Sequence, residues 1–459
     1  MKKFLAVIGI AAACLSFSTW IFHPDSDPIA IQPSKQRSGN AKAGYEYLTT
    51  GDYLRSGIPL SYFKMGFGKN SMNYLQRSGL NAEIPYDYTV VHAPNGEPVV
   101  APNCMQCHAQ VFDGKLIMGL GNSTIDFTHG EKLDPKNAAS AERLLKNLDP
   151  KKYEAAEPFL RVVKGIGGQL HTEVRGVNTA DRLAALLASH RDPQTFRWSD
   201  HALLPIPSEV VPSDVPAWWM LKKKNAMFYN GFGRGDFSRF LMASNLLTVN
   251  DTAESVEVDA HFNDVLAYIN SIQPPPYPHP VNKILVRQGG ILFVQHCSKC
   301  HGNYGSGGKY PNLLIPENEI LTDSALFKSN YQSYQFVEWF NQSWFAMGDH
   351  PARLEPFNGY IAPPLDGIWI TAPYLHNGSV PDLESLLNSE ERPRYWARDF
   401  DNPEYDYDKL GWKYSKEDSA RGTTVYNTTL PGYGNYGHTY GDKLSSKERK
   451  AIIEYLKTL

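Results

Sequence analysis

Cysteine is scarce in this chain, with five residues among 459. That count leaves no disulfide framework of the kind that staples small secreted domains. Four of the five fall in two short strings, and the other, Cys14, lies near the N-terminus. A strong charge of either sign is also missing. The formal net charge is −3, so the basic excess that marks a nucleic-acid binder is absent. Long apolar runs are missing too, apart from residues 4–22. Composition is otherwise that of a folded chain, 42% apolar and 20% charged, which argues against intrinsic disorder. The length predicts two or three domains.

The N-terminal run reads as an export signal, because Lys2 and Lys3 precede uncharged residues that include Ala11, Ala12 and Ala13. Cleavage near those alanines would release a soluble protein. Ala13-Cys14 is a loose match to a lipoprotein processing site. The uncleaved run is also close to the ~20 residues that span a bilayer. All three fates put the folded part beyond the inner membrane, in the periplasm or outside the cell, with any membrane contact confined to residues 1–23.

Residues 24–40 are a polar, Pro- and Ser-rich linker. A first domain is expected over 41–273, closing with a helix over 255–272 whose Val258, Phe262, Val265, Leu266 and Ile269 share a face. The run Pro274-Pro275-Pro276-Tyr277-Pro278-His279-Pro280 cannot continue a helix and marks a linker at 274–280. A second domain over 281–459 opens with a helix over 281–295. It closes with another over 445–459, where Ser445, Ser446 and Glu448 supply an N-cap pattern. Residues 388–437 read as a long surface loop. The expected fold is mainly α with long irregular loops, and the strings Cys104–His108 and Cys297–His301, one in each domain, make the two read as cytochrome c-like haem domains.

That expectation rests on Cys104-Met105-Gln106-Cys107-His108 and Cys297-Ser298-Lys299-Cys300-His301. Two thiols three positions apart on a helical turn can each form a thioether to a haem vinyl group, and the adjacent histidine is aimed at the iron. A zinc site needs two further ligands at matching spacing, which neither string supplies locally. A redox dithiol would follow a strand and would not recur with His in the fifth position. The strings predict two covalently bound haem c groups, with His108 and His301 as proximal ligands.

The sixth ligands are less determined. In small c-type cytochrome domains the distal ligand comes from a loop just before the closing helix, which here is Gly437-His438-Thr439-Tyr440-Gly441. His438 is the first candidate, His376 the rival and Met347 the third. A histidine that loses would take a nearby hydrogen bond or a propionate. The first domain offers Met242, Met118, His129, His92, His171 and His201, and no pattern singles one out. An open distal position there is the leading expectation. It permits peroxide or dioxygen chemistry, whereas six-coordinate iron favours electron transfer.

The second half resembles the bacterial di-haem cytochrome c peroxidase superfamily. The residues that carry the resemblance are the Cys297 string, then Thr371-Ala372-Pro373-Tyr374-Leu375-His376-Asn377-Gly378-Ser379-Val380-Pro381-Asp382-Leu383, then the ending Glu454-Tyr455-Leu456-Lys457-Thr458-Leu459. Glu391-Arg392-Pro393 and Gly437-His438 make it most similar to the rubber-oxygenase-like branch, in which a histidine near the last helix gives a bis-His haem. The resemblance covers 281–459 well and 41–280 thinly, and no catalytic side chain is assigned. It implies a reactive first haem and a second that relays electrons from a redox partner protein or a small donor. It also leaves room for a calcium ion. The competing reading is a non-catalytic electron carrier.

Other patterns are ambiguous. Trp218-Trp219 with Phe228-Tyr229 is similar to an oxygenase pocket lining or is plain core. Arg234 and Arg239 suit haem propionates or solvent. Lys222-Lys223-Lys224 reads as a solvated run or a dock for an acidic partner. Gly231-Phe232-Gly233-Arg234-Gly235 lacks the strand and helix of a nucleotide fingerprint.

Overall fold

The computed structural model describes residues 27–67, 72–128 and 134–459. The expected export signal, Cys14 and His129 lie outside the described residues. Two helix pairs organise the rest. Helix Ala41–Thr50 packs on Thr252–Ser271, and Lys283–His296 packs on Ser446–Leu456. Each helix begins at a side-chain cap that satisfies free N–H groups. Asn40 accepts from Lys42 and Ala43, Asp251 from Ala253 and Glu254, and Asn282 from Ile284 and Leu285. Ser445 and Glu448 form a reciprocal capping box.

At one helix contact in each pair, glycine lets two backbones touch. A Cβ at Gly44 would strike the Asp264 carbonyl, and one at Gly289 would strike the Ala451 carbonyl. The face Val258, Phe262, Val265, Leu266 and Ile269 is buried. Among the described residues no helix is long and apolar enough to cross a membrane.

The fold is not mainly α, as the sequence reading expected. Among the described residues only 40% are helical, and strands make up 13% in several small sheets. The strands are too short for their alternation to stand out; tight turns fix some of them and distant pairing fixes others. Tyr88–His92 pairs with Pro98–Pro102, burying Val90, Val91, Val99 and Val100. Directly after the first cysteine string, Ala109–Phe112 pairs with Lys115–Met118. Asp113 and Gly114 close that hairpin with φ of 47° and 73°, as a two-residue turn requires.

Residues 388–437 are likewise folded rather than a loose surface loop. Tyr395–Ala397 lies between Ser415–Lys416 and Val425–Asn427, and Tyr405–Asp406 pairs with Gly411–Trp412. Trp396, Tyr405, Trp412, Tyr426 and Tyr433 are buried there. Aromatic rings supply core area that aliphatic periodicity would otherwise have announced.

The two halves share cores. Ile29–Ala30 pairs with Leu313–Pro316, which also pairs with Gly359–Ile361, while Gly233–Gly235 pairs with Ala352–Leu354. Trp339, Phe340 and Phe345 sit in the first core, and Phe112 and Trp219 sit in the second.

Replacing Gly289 by Ala is expected to cost ~1–3 kcal/mol, because a backbone carbonyl must move. Gly66→Ala meets open space and should cost nothing. Urea denaturation of both variants checks this, and equal effects would contradict the close-contact account.

Candidate haem-binding sites

The second cysteine string begins where helix Lys283–His296 ends, with Cys297 as its cap, and Ser298–His301 adds one turn. His301 Nδ1 lies 2.8 Å from the Pro363 carbonyl, an acceptor only. Nδ1–H therefore donates, and Nε2 keeps its lone pair, the usual arrangement of a metal-binding histidine. His438 stands opposite, with ring centroids 6.2 Å apart and planes at 60°. Two metal–nitrogen bonds of ~2 Å, with ~1 Å from each nitrogen to its ring centre, span about 6 Å. One metal atom fits between these rings.

The loop that presents His438 is tightly held. Gly437 and His438 both have positive φ, and the His438 N–H donates to the Ile320 carbonyl at 3.0 Å. Arg392 donates to five backbone carbonyls, those of Ser385, Leu386, Asn435, Gly437 and His438. Sequence reading took Arg392 only as a marker of resemblance, but in the structure it shapes the ligand loop. Burial, then the neighbouring His301, lowers the His438 pKa to about 3, and burial lowers that of His301. Both rings stay neutral near pH 7, as ligation requires.

His376 is placed elsewhere. Its ring stacks on Tyr360 with centroids 4.0 Å apart, and Nε2 lies 3.0 Å from the Tyr360 hydroxyl. That hydroxyl donates its hydrogen bond to the Asp323 carbonyl at 2.7 Å, so His376 Nε2–H is the donor in their contact. The His376 carbonyl accepts from the Asp214 N–H. Met347 is 45% exposed, and its carbonyl is held by Arg239.

In the first string Cys104 caps the short helix Met105–His108. Cys107 Sγ accepts from Asn178 Nδ2 at 3.1 Å. The His108 ring stacks on Trp218 with centroids 4.7 Å apart and planes at 18°. His108 Nδ1 is buried without a partner, as is Nδ1 of His438. Among the described residues no second imidazole faces His108. Met118 is paired with Ala109 on the hairpin, Met242 is fully buried in the first core, and His92, His171 and His201 are exposed.

Two groups that sequence reading missed lie between the strings. Asn178, which touches Cys107, is bridged to Ser213. The next residue, Asp214, accepts from the Tyr229 hydroxyl at 2.7 Å, and burial pushes its carboxyl up to about 7. No spacing pattern in Pro212-Ser213-Asp214 would have flagged it. Trp219, beside Trp218, donates Nε1–H to the Asp366 carbonyl at 2.8 Å. Asp366 lies on the same short loop as Pro363, the residue that orients His301, so a packed route joins His108 to His301.

The lysine run divides. Lys222 is exposed, Lys223 pairs with Asp366 at 2.7 Å, and Lys224 is buried with its ammonium on the Phe228 carbonyl. Arg239 is committed to backbone carbonyls and the Trp344 face. Arg234 caps the Gly231 carbonyl and lies 3.6 Å from Glu355.

These residues fit haem c. The four thiols are unpaired, and each pair sits on a single turn beside a histidine. Burial raises the thiols, Cys104 to about 11 and Cys297 to about 12, unlike the lowered values of reactive dithiols. Among the described residues no group of His, Cys, Asp or Glu assembles into a metal cluster, such as a zinc site would need.

Residues 359–397 match a family described as RoxA-like, cytochrome c-like. This segment links the chain to the cytochromes c. The match runs from the strand carrying Tyr360, through His376, to the strand that buries Trp396, and it implies a haem cytochrome with covalently bound haem c. Two curated relatives come from Sinorhizobium fredii (strain NBRC 101917 / NGR234). Uncharacterized protein y4iM is 27% identical over 304 residues, which cover 58% of this chain and 68% of that protein. Uncharacterized protein y4iJ is 44% identical over 111 residues, 22% of this chain and 18% of that protein.

Tyr360→Phe is expected to cost ~1–3 kcal/mol, since it strands the buried His376 Nε2–H and the Asp323 carbonyl. Tyr334→Phe, at an exposed ring, should be neutral. Thermal unfolding compares the two, and equal stabilities would contradict the buried pair.

Proposed function

We propose that this chain is an exported di-haem c-type cytochrome and an oxidoreductase of the rubber-oxygenase-like kind. In this reading Cys104 and Cys107 would hold the haem whose chemistry is directed at a small oxidant, peroxide or dioxygen. Cys297 and Cys300 would hold a second haem suited to relaying electrons. The observation that carries the reading is the inequality of the two histidines: His301 faces His438 at a one-metal spacing, whereas His108 faces no second imidazole among the described residues. The RoxA-like match supports the family, and the two strings support the count of two.

Haem c supplies one-electron chemistry and, where a coordination position is open, a binding place for the oxidant. The protein's part is positional. His301 and His438 occupy both faces of the second site, which suits electron transfer, and Pro363 fixes the His301 ring. His108 holds one face of the first site with Trp218 packed beside it. Trp218 and Trp219 bridge the sites. Asp214 and Tyr229 hold a proton near Cys107 at neutral pH. Electrons come from a redox partner protein or a small donor in the periplasm or outside the cell, with residues 1–23 directing export or tethering the chain.

Carbon monoxide added to the reduced protein, and peroxide added to the oxidised protein, should each change the absorption of one haem of the two. Two unresponsive low-spin haems would leave only the electron carrier. His438→Ala should convert one low-spin haem to high-spin while His376→Ala does not. The reverse pattern would contradict the ligand assignment.

A further inference from the structure

A cleft of about 650 Å³ opens between the Pro-rich segment, the hairpin Tyr405–Asp406/Gly411–Trp412 and the last helix, within the size range of small-molecule sites. Tyr277, Tyr405, Tyr407 and His279 line it. Its charges are largely cancelled: buried Lys457 pairs with buried Glu454 at 2.7 Å, and Lys413 pairs with Glu404. Aromatic walls with little net charge favour a flat neutral ring, and His279 and Asp408 at the rim can accept a hydroxyl proton.

The rings do not stop at the cleft. His279 meets Tyr407 at 4.5 Å, Tyr407 meets Trp369 at 6.2 Å, and Tyr277 meets Trp369 at 5.6 Å, all between centroids. Trp369 and Tyr405 contact Phe112 at 5.9 and 5.0 Å. Phe112 lies on the strand that directly follows His108, and it shares a core with Trp219, the neighbour of the tryptophan stacked on His108. Asp113, at the tip of the same hairpin, accepts a hydrogen bond from the Tyr407 hydroxyl. The oxidisable rings Tyr407, Tyr277, Trp369 and Tyr405 therefore pack in a continuous set from the cleft to Phe112, four residues beyond His108, and the outermost phenol has a carboxylate to take its proton.

We propose that the cleft binds a small neutral phenol and that Tyr407 and Trp369 carry electrons from it toward the first haem. This rests on the peroxide form of the proposed function. Each phenol loses one electron to the ring chain and one proton to His279 or water, giving a phenoxyl radical. Two such events match the two electrons and two protons that convert one peroxide into two waters: H2O2 + 2 ArOH → 2 ArO• + 2 H2O. Tyr407 passes its own proton to Asp113 while oxidised and recovers it on reduction.

The test uses 4-methoxyphenol and the di-haem protein. Saturation-transfer NMR on the oxidised protein reads binding without turnover. Binding is expected in the wild type and in Tyr407→Phe, and lost in Leu285→Trp, which fills the cleft. Peroxide-driven oxidation of the phenol should fall about tenfold or more in both variants, while the peroxide response of haem absorption stays as in wild type. Freeze-quench EPR without phenol should show a tyrosyl radical that Tyr407→Phe removes. Phenol oxidation unchanged in both variants, or cleft binding of a monosaccharide in place of the phenol, overturns the relay and leaves the oxidoreductase reading standing. No haem response to peroxide overturns both.

Discussion

One distance organises this protein, the 6.2 Å between the rings of His301 and His438. It leaves room for one metal atom and no more, and neither ring is free to drift. The Pro363 carbonyl accepts a hydrogen bond from His301 Nδ1–H, and Arg392 ties down the loop that carries His438. These partners come from segments far apart in the chain, so the second site exists only when much of the C-terminal half is folded. Arg392 is half-buried at some cost in desolvation, and its bonds to five carbonyls offset that cost.

The first site is built differently. Its string leads straight into a tight hairpin, and its histidine is braced by an indole rather than by a hydrogen bond. The braces are shared with the other half: Trp219 reaches Asp366, and Phe112 is packed among Trp369, Tyr405 and Trp412. Strand pairings and cores that cross the Pro-rich segment hold the two strings in fixed relation. The proposed electron transfer between the sites would depend on this rigidity, because its rate falls steeply with separation.

Local features of the fold were legible in the sequence. The cysteine strings, the apolar face from Val258 to Ile269 and the Ser445–Glu448 cap all announce themselves within a few residues. Features made by distant partners were not. Strands of two to five residues, such as Ile29–Ala30 and Tyr88–His92, are defined by their pairing, and the pairing is not written locally. The commitment of His376 to Tyr360 depends on the hydrogen bond that Tyr360 donates to Asp323, which only three-dimensional placement reveals. Asp214 and Arg392 were missed for the same reason: what surrounds them, not their spacing, makes them part of the site.

The account's central claim is that the two haem positions are unequal. Low-temperature EPR of the fully oxidised protein tests it most directly. The account predicts equal amounts of two ferric signals, one low-spin with two imidazole ligands and one high-spin. Two low-spin signals would contradict it.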